Sequence, residues 1–361
     1  MSKVYLDLHV IQSVPPSCLN RDDTGSPKTA IYGGVRRARV SSQSWKRAMR
    51  LMFKEHFDVS DIGTRTLRVF DLVADEVVAL SPPTLTREEA MSKVQEALKD
   101  LVKPSKKDAN KSEALFFIGN QQAKNIANLI VNDDIDGKER SKAIKQTLKE
   151  DNAVDVALFG RMVASAPDLN CDASSQVAHA ISTHRADNEF DYFTAIDDCS
   201  PEDTAGAGMI GTVEYTSATY YRYATVAAHE LFGQLAKDEI ALAKAISEFT
   251  RAFVKALPTG KQNTFAANTQ PDAVAIAVRT DQPLNLVGAF EKPMTGEGFV
   301  ARSTEALEKY ALNAYSDFSN APEKCFVIGQ YMSGLGERRT FDDAFLNELG
   351  KIVAAKVKEG A

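Results

Sequence analysis

The sequence predicts an α+β fold: one sheet covered by helices, assembled from the two ends of the chain, with a large helical segment inserted between them. Three observations carry this. Near the N terminus Val4, Leu6, Leu8 and Val10 alternate with Tyr5, Asp7 and His9, the period of a half-buried strand. From about Thr64 to Ser182 one helical pattern follows another. Beyond Thr212 strand-like and helix-like segments alternate again to the C terminus. A ferredoxin-like core of the RNA-recognition type fits that order.

Each element has its own signal. Pro15 and Pro16 end the first strand, and a polar loop runs from Ser17 to Lys28. Gly33-Gly34 is a turn before a short strand, Val35 to Val40. Ser41-Ser42 caps a helix reaching about Phe57. Its apolar arc is Trp45, Ala48, Met49, Met52 and Phe53, and its outer arc is Gln43, Lys46, Arg47, Arg50 and Lys54. In the helical segment, Leu67 to Val78 form one stripe, broken by Pro82-Pro83. Thr86 and Glu89 then make a capping box. Glu113 to Val131, Arg140 to Glu150 and Ala153 to Ala164 read as further helices, the last ended by Pro167. Asp187 to Gly211 reads as irregular and acidic, and Thr212 to Val226 as strand. His229 to Leu257 reads as one long helix. Val274 to Val278 and Cys325 to Ile328 are strands, and Thr304 to Tyr315 and Phe341 to Val357 are helices.

The 361 residues predict two domains, or one with a large insertion. With 44% hydrophobic and 25% charged residues the composition is that of a soluble globular protein. No apolar run approaches the roughly 18 residues that span a membrane. Asp7 and His9 fall where a signal peptide needs an apolar core, so a cytoplasmic protein is expected. Cys18, Cys171, Cys199 and Cys325 lack metal spacing and read as reduced thiols. No metal or cofactor is expected.

The strongest local signal is charge. Although the chain carries a net charge of -6, no acidic residue lies between Thr24 and Lys54. Lys28, Arg36, Arg37, Arg39, Lys46, Arg47, Arg50 and Lys54 all fall there. One basic helix alone is commonly a solvated face. Spread over loop, strand and helix, and joined to Ser41, Ser42, Gln43 and Ser44 at the helix start, the pattern predicts phosphate binding. Free amides at the helix N terminus would add donors.

Other candidates are weaker. Gly206-Ala-Gly208-Met-Ile-Gly211 has the letters of a dinucleotide fingerprint, but no strand precedes it and no helix follows. His179 and His184 point roughly 140° apart on a helix and read as structural rather than as metal ligands. In Asp22-Asp23 and Asp197-Asp198 neighbouring carboxylates diverge, which favours turns over metal-assisted hydrolysis. No catalytic set stands out, and the chain is expected not to be an enzyme. Tyr192-Phe193-Thr194, at the start of the acidic loop, could stack on bases or anchor the loop to the core.

Several longer blocks carry a resemblance. Pro16 to Asp23, Gly33-Gly34, Arg36-Arg37 and Ser41 to Arg50 resemble the backbone subunit of the type I-E CRISPR surveillance complex, Cascade (CasC-type, RAMP superfamily). Gly160-Arg-Met162, Ala178 to His184, Asp191 to Ala195, Tyr221 to Ala224 and Gly260 to Ala266 extend the match, which runs to about Lys292. The resemblance implies a palm of modified RNA-recognition fold (residues 1–60 and 225–361), helical fingers (61–183) and an extended thumb hairpin (184–224). It implies copies stacked head to tail along a guide RNA (crRNA), with other Cascade subunits as further partners. A thumb turns one base outward at intervals, and the other bases pair with target DNA. It places guide contacts on Arg21, Lys28, Ser41, Gln43, Ser44, Lys46, Arg47 and Arg50. It places a wedge beside the displaced base on Met162, Phe193 and Thr194. Two alternatives remain: an RNA endonuclease of the related type III backbone kind, using one of the loop aspartates, and a nucleotide-binding enzyme using the Gly206 loop.

Overall fold

The computed structural model describes residues 3–81, 85–132, 134–150, 152–163, 165–195 and 209–360. Pro82, Pro83, Ala164, Asp197, Asp198, Cys199, Gly206 and Gly208, which figure in the sequence reading, lie outside them. The fold is α+β, as the alternation predicts.

The chain opens with β1 (Tyr5–Ser17), β2 (Thr29–Tyr32), β3 (Val35–Val40) and α1 (Ser42–His56). β1 does not stop at the prolines. It runs past them with a register shift between Val14 and Ser17, because a proline can sit in a strand where a bulge relieves its missing donor. Next come β4 (Gly63–Thr66), α2 (Val69–Leu80), α3 (Arg87–Leu98), β5 (Phe116–Gly119), α4 (Asn120–Val131), α5 (Gly137–Glu150) and α6 (Val154–Phe159). The first residues of the expected helix from Glu113 are thus β5. Phe116, Phe117 and Ile118 are aromatic and β-branched, and they pair with β4 in a small two-stranded sheet.

β6 (Ser175–Val177) and β7 (Ala180–Ser182) follow, then β8 (Glu189–Ala195) and the long β9 (Met209–Ala227). The stretch expected to be irregular is in part a regular antiparallel ladder, from Glu189 opposite Tyr215 to Ala195 opposite Met209. Last come α7 (Ala228–Gln234), α8 (Glu239–Lys255), α9 (Gln262–Phe265), β10 (Ala273–Arg279), α10 (Phe299–Asp317), β11 (Lys324–Gly329), β12 (Glu337–Arg338) and α11 (Asp343–Glu359). The long helix expected from His229 is two, because Ala236 and Lys237 take left-handed φ values of 53° and 61° between α7 and α8.

The large sheet has the order β12-β11-β10-β1-β9-β7-β3-β2, with β6 and β8 also paired to β9. On one face Leu6, Leu8 and Val10 pack with Trp45, Met49 and Phe53 of α1, with Phe249 and Phe253 of α8, and with Leu349 and Val353 of α11. The other face is covered by α10 and by Leu286 and Phe290. β1 is therefore buried on both sides. Asp7 accepts a hydrogen bond from the Tyr223 hydroxyl at 3.0 Å, and His9 bonds Tyr221 at 2.9 Å. Helices α2 to α5 make a second core around Phe70, Val73, Ile126, Ile144 and Leu148. Among the described residues no helix is long and apolar enough to cross a membrane.

Candidate nucleic-acid interface

Helix α1 is set down by burial and held by its start. Trp45, Met49 and Phe53 are almost wholly buried, which fixes the helix rotation and turns Gln43, Lys46, Arg47 and Arg50 away from the sheet. Ser41 is the N-cap, and its Oγ accepts the Gln43 amide. The Ser41 amide donates to Asn20 Oδ1 at 2.9 Å, and the Ser42 amide to His179 Nδ1 at 3.0 Å. These amides are used within the chain, so they are not the free anion donors the sequence led us to expect. The donors left are side chains. His179 accepts through Nδ1 as a neutral ring, and burial, with Arg39 and Lys28 nearby, draws its pKa below the usual value. Lys28 thus sits with Arg39 and His179 at the helix start.

Two cavities flank α1. One, of about 690 Å³, is lined by Gln43, Lys46, Arg47, Arg50 and Met162, over Phe117 and Phe159. The other, of about 570 Å³, is lined by Arg21, Ser44 and Arg47 with Asp22, Asp23 and Gly260. Arg47 lines both, so the two adjoin along the helix as a track. Lys46 Nζ lies 5.8 Å from the Phe159 ring centre and Arg50 Cζ 5.4 Å from that of Phe117. Among the described residues Arg21, Lys28, Lys46, Arg47 and Arg50 form no ion pair within 4 Å. Burial draws the Lys46 ammonium and the Arg50 guanidinium below their ordinary pKa values. An anion entering the track would reverse that penalty. The exposed Asp172 carboxylate also lines the larger cavity.

Met162 is presented rather than buried. Gly160 ends α6 with φ 78°, and a Cβ there would meet the Cys171 carbonyl oxygen at 2.9 Å. Arg161 and Cys171 then exchange two backbone hydrogen bonds of 2.9 Å, which close a loop. The Arg161 side chain is buried and donates to the Leu169 and Leu148 carbonyls. Val163, Ala166 and Leu169 tuck into the helical core, while Met162 just before them stays 81% exposed. Core packing is therefore excluded as the role of Met162.

Phe193 and Thr194 lie on β8, away from the α1 track. Phe193 pairs with Gly211, and its ring covers that residue so closely that a Cβ would come within 2.5 Å. Gly211 thus serves a strand here, not a nucleotide loop. Phe190, Tyr192, Met209 and Ile210 on the same ladder are exposed.

Other candidates have structural work. Arg37 is fully buried and donates to the Tyr32, Ser182, Phe290 and Glu291 carbonyls. His184 Nε2 accepts the Thr219 amide, and its ring stacks on Phe299. Asp22 Oδ1 accepts from the Thr24 amide and hydroxyl and from the Ser26 amide, and the Thr24 hydroxyl leads in holding its carboxyl below the usual range. Among the described residues no three His, Cys, Asp or Glu are grouped to hold a metal ion. Sequence reasoning missed Arg65, which lines the larger cavity, and Asn20, which holds the helix start. Asn20 sits in a polar loop and could have been found as a cap partner. Arg65 gave no signal, because only the fold brings it to α1.

The model of the CT1975-like protein family matches residues 6–351. Among solved structures, a chain of a "CRISPR RNA-guided surveillance complex, pre-nicking" is similar with TM-score 0.83 and 32% identity, over 97% of this chain and 99% of that one. A chain of a "CRISPR RNA-guided surveillance complex" is similar with TM-score 0.72 and 28% identity, again over 97% and 99%. No curated protein sequence matches.

Proposed function

This chain belongs to the CT1975-like family, and on that premise we propose that it is the guide-binding backbone subunit of a CRISPR surveillance complex. One observation carries the reading most: Lys46, Arg47 and Arg50 converge on a track beside α1 with no carboxylate within 4 Å of any of them among the described residues. A single-stranded polyanion supplies what such a track lacks, at regular spacing and without regard to base. Arg21, Lys28, Ser41, Gln43 and Ser44 extend the track around the helix start.

In this reading the protein holds sugar and phosphate, and base pairing reads the target, the division of labour of RNA-guided effectors. Copies stack head to tail on the guide. Residues 1–60 and 225–361 form the palm, 61–183 the fingers and 184–224 the thumb. Among the described residues Met162 lines the cavity beside α1, and Phe193 is not part of that lining. Both can flank one displaced base only if Phe193 and Thr194 come from a neighbouring copy. Unstacking a base costs a few kcal/mol, and an exposed apolar side chain that fills the gap offsets part of it. The subunit itself does no chemistry: Asp22 is committed to its turn.

The test is to purify the protein from its natural host and sequence what it carries. The expected result is several copies on one guide RNA with a common repeat. Protein free of RNA, or holding bulk cellular RNA without a common repeat, would overturn the reading.

A further inference from the structure

The α1 track has a second wall, and it comes from the helical region. β4 and β5 form a two-stranded antiparallel sheet of their own, separate from the large one, and it reaches the side of α1. Arg65 on β4 stands opposite Phe117 on β5, and the Phe117 ring is the one that underlies Arg50. The exposed Arg65 guanidinium lines the same cavity as Lys46, Arg47 and Arg50, close enough to Arg50 for their charges to oppose each other. Among the described residues it has no carboxylate within 4 Å.

This placement is held. Two residues before Arg65, the Gly63 amide donates at 2.8 Å to Oδ1 of Asp155, a residue 3% exposed at the start of α6. The Thr64 hydroxyl donates to Asn120 Oδ1 at 3.0 Å, and Asn120 Nδ2 donates to the Val59 carbonyl at 2.8 Å. The start of β4 is thereby tied to α4 and α6. A solvated arginine on a free loop would swing away from three other cations. One carried on an anchored strand stays among them. Asp172 lines the same cavity and Asp155 acts on Arg50, but the four cations outnumber these acids, and an entering anion relieves the remaining repulsion.

We propose that Arg65 binds a phosphodiester in this track, so that the nucleic acid is gripped from both sides, by α1 and by the β4–β5 strand pair. The proposal rests on the guide-binding reading and adds a residue and a second wall to it. The phosphodiester could belong to the guide or to the target strand, and the two are separable.

The experiment uses the assembled, guide-loaded complex with R65A and R65K, and K46A/R50A as reference. Arg65 is exposed, so R65A should fold. If the phosphate is the guide's, R65A releases RNA at lower salt and reduces the salt slope of log K by about 0.7 per subunit, equally for unrelated guides. R65K recovers that slope, because a point cation still meets one phosphate. If the phosphate is the target's, guide retention is unchanged and target-strand binding shows the reduced slope, which supports the proposal and assigns the strand. If R65A equals wild type in both arms while K46A/R50A sheds guide, the proposal is overturned and the guide-binding reading stands. If K46A/R50A also keeps its guide with an unchanged slope, the guide-binding reading is what has failed.

Discussion

Among the described residues Lys46, Arg47 and Arg50 of α1 share a groove with Arg65 and meet no carboxylate within 4 Å, whereas around α8 and α11 several cations are matched to acids. Arg251 of α8 bonds Glu248 at 2.8 Å and Asp343 at 2.7 Å, Lys356 of α11 bonds Glu323 at 2.8 Å, and Arg339, just ahead of α11, bonds Glu337 and Glu348. The more exposed pairs of Arg339 and Lys356 contribute only about 0–1 kcal/mol each, so stability alone does not explain the contrast, although Arg251 and Glu248 are largely buried. The difference lies in where the counter-charge comes from. Around α8 and α11 the chain supplies it, and along α1 the proposed guide RNA would. A net charge of -6 hides this, because a polyanion responds to the nearest charges rather than to their sum.

Buried cations sharpen the comparison. Arg37 is neither groove nor surface pair: its guanidinium joins four backbone carbonyls across three segments. Arg37→Ala should orphan these acceptors at about 1–3 kcal/mol each, less than additively. A loss of roughly 3–5 kcal/mol, read by denaturant unfolding of the free subunit, is the largest effect expected. A loss below about 1 kcal/mol would return Arg37 to the groove class.

Asp155 comes next. Burial holds its carboxyl up at about 7, against an ordinary value near 3.9. The folded chain keeps a proton that the unfolded chain releases, so stability falls as pH rises from about 4 through about 7 and is level above. Asp155→Asn keeps an acceptor for the Gly63 amide and removes that slope. The variant should gain on wild type across this window, by a few kcal/mol at its upper end. Parallel stability curves from pH 4 to 8 would contradict it.

Met162→Ala with Phe193→Ala should act on the guide and not on the fold. Met162 is 81% exposed, so its truncation should cost within about 0.5 kcal/mol. Phe193 loses only its cover of Gly211. In assembled complexes the periodic reactivity of guide bases to chemical probes should blur. An unchanged periodic pattern would remove both residues from the wedge. Smallest of all is the effect of Asp22→Ala. Subunit incubated with RNA and Mg²⁺ should leave the RNA intact, and the variant should differ only in easier proteolysis of the 22–26 turn. Cleavage that vanishes in this variant would favour the nuclease reading.

The sheet, the α1 helix and its two faces were legible because period-two and period-3.6 patterns survive in single segments, as in Leu6-Leu8-Val10 and Trp45-Met49-Phe53. The basic side of α1 was legible for the same reason. What escaped depends on tertiary partners. Phe116 to Gly119 became strand only because Gly63 to Thr66 lies beside it. Ser42 and Gln43 lost their free amides to His179 and Ser41. Arg37, within an acid-free basic run, could not be told from a phosphate ligand until Phe290 and Ser182 were seen to enclose it. Arg65 is far from α1 in sequence and near it only in the fold.

The central claim is that the α1 track holds phosphates and ignores bases. The most direct measurement is the salt dependence of RNA binding by wild type and K46A/R50A, with several single-stranded RNAs of unrelated sequence. The account predicts a slope of log K against log salt reduced by about 1.4 in the double variant, about 0.7 for each contact, and the same for every RNA, with the melting temperature of the free subunit unchanged. An unchanged slope, or a loss confined to one sequence, would contradict it.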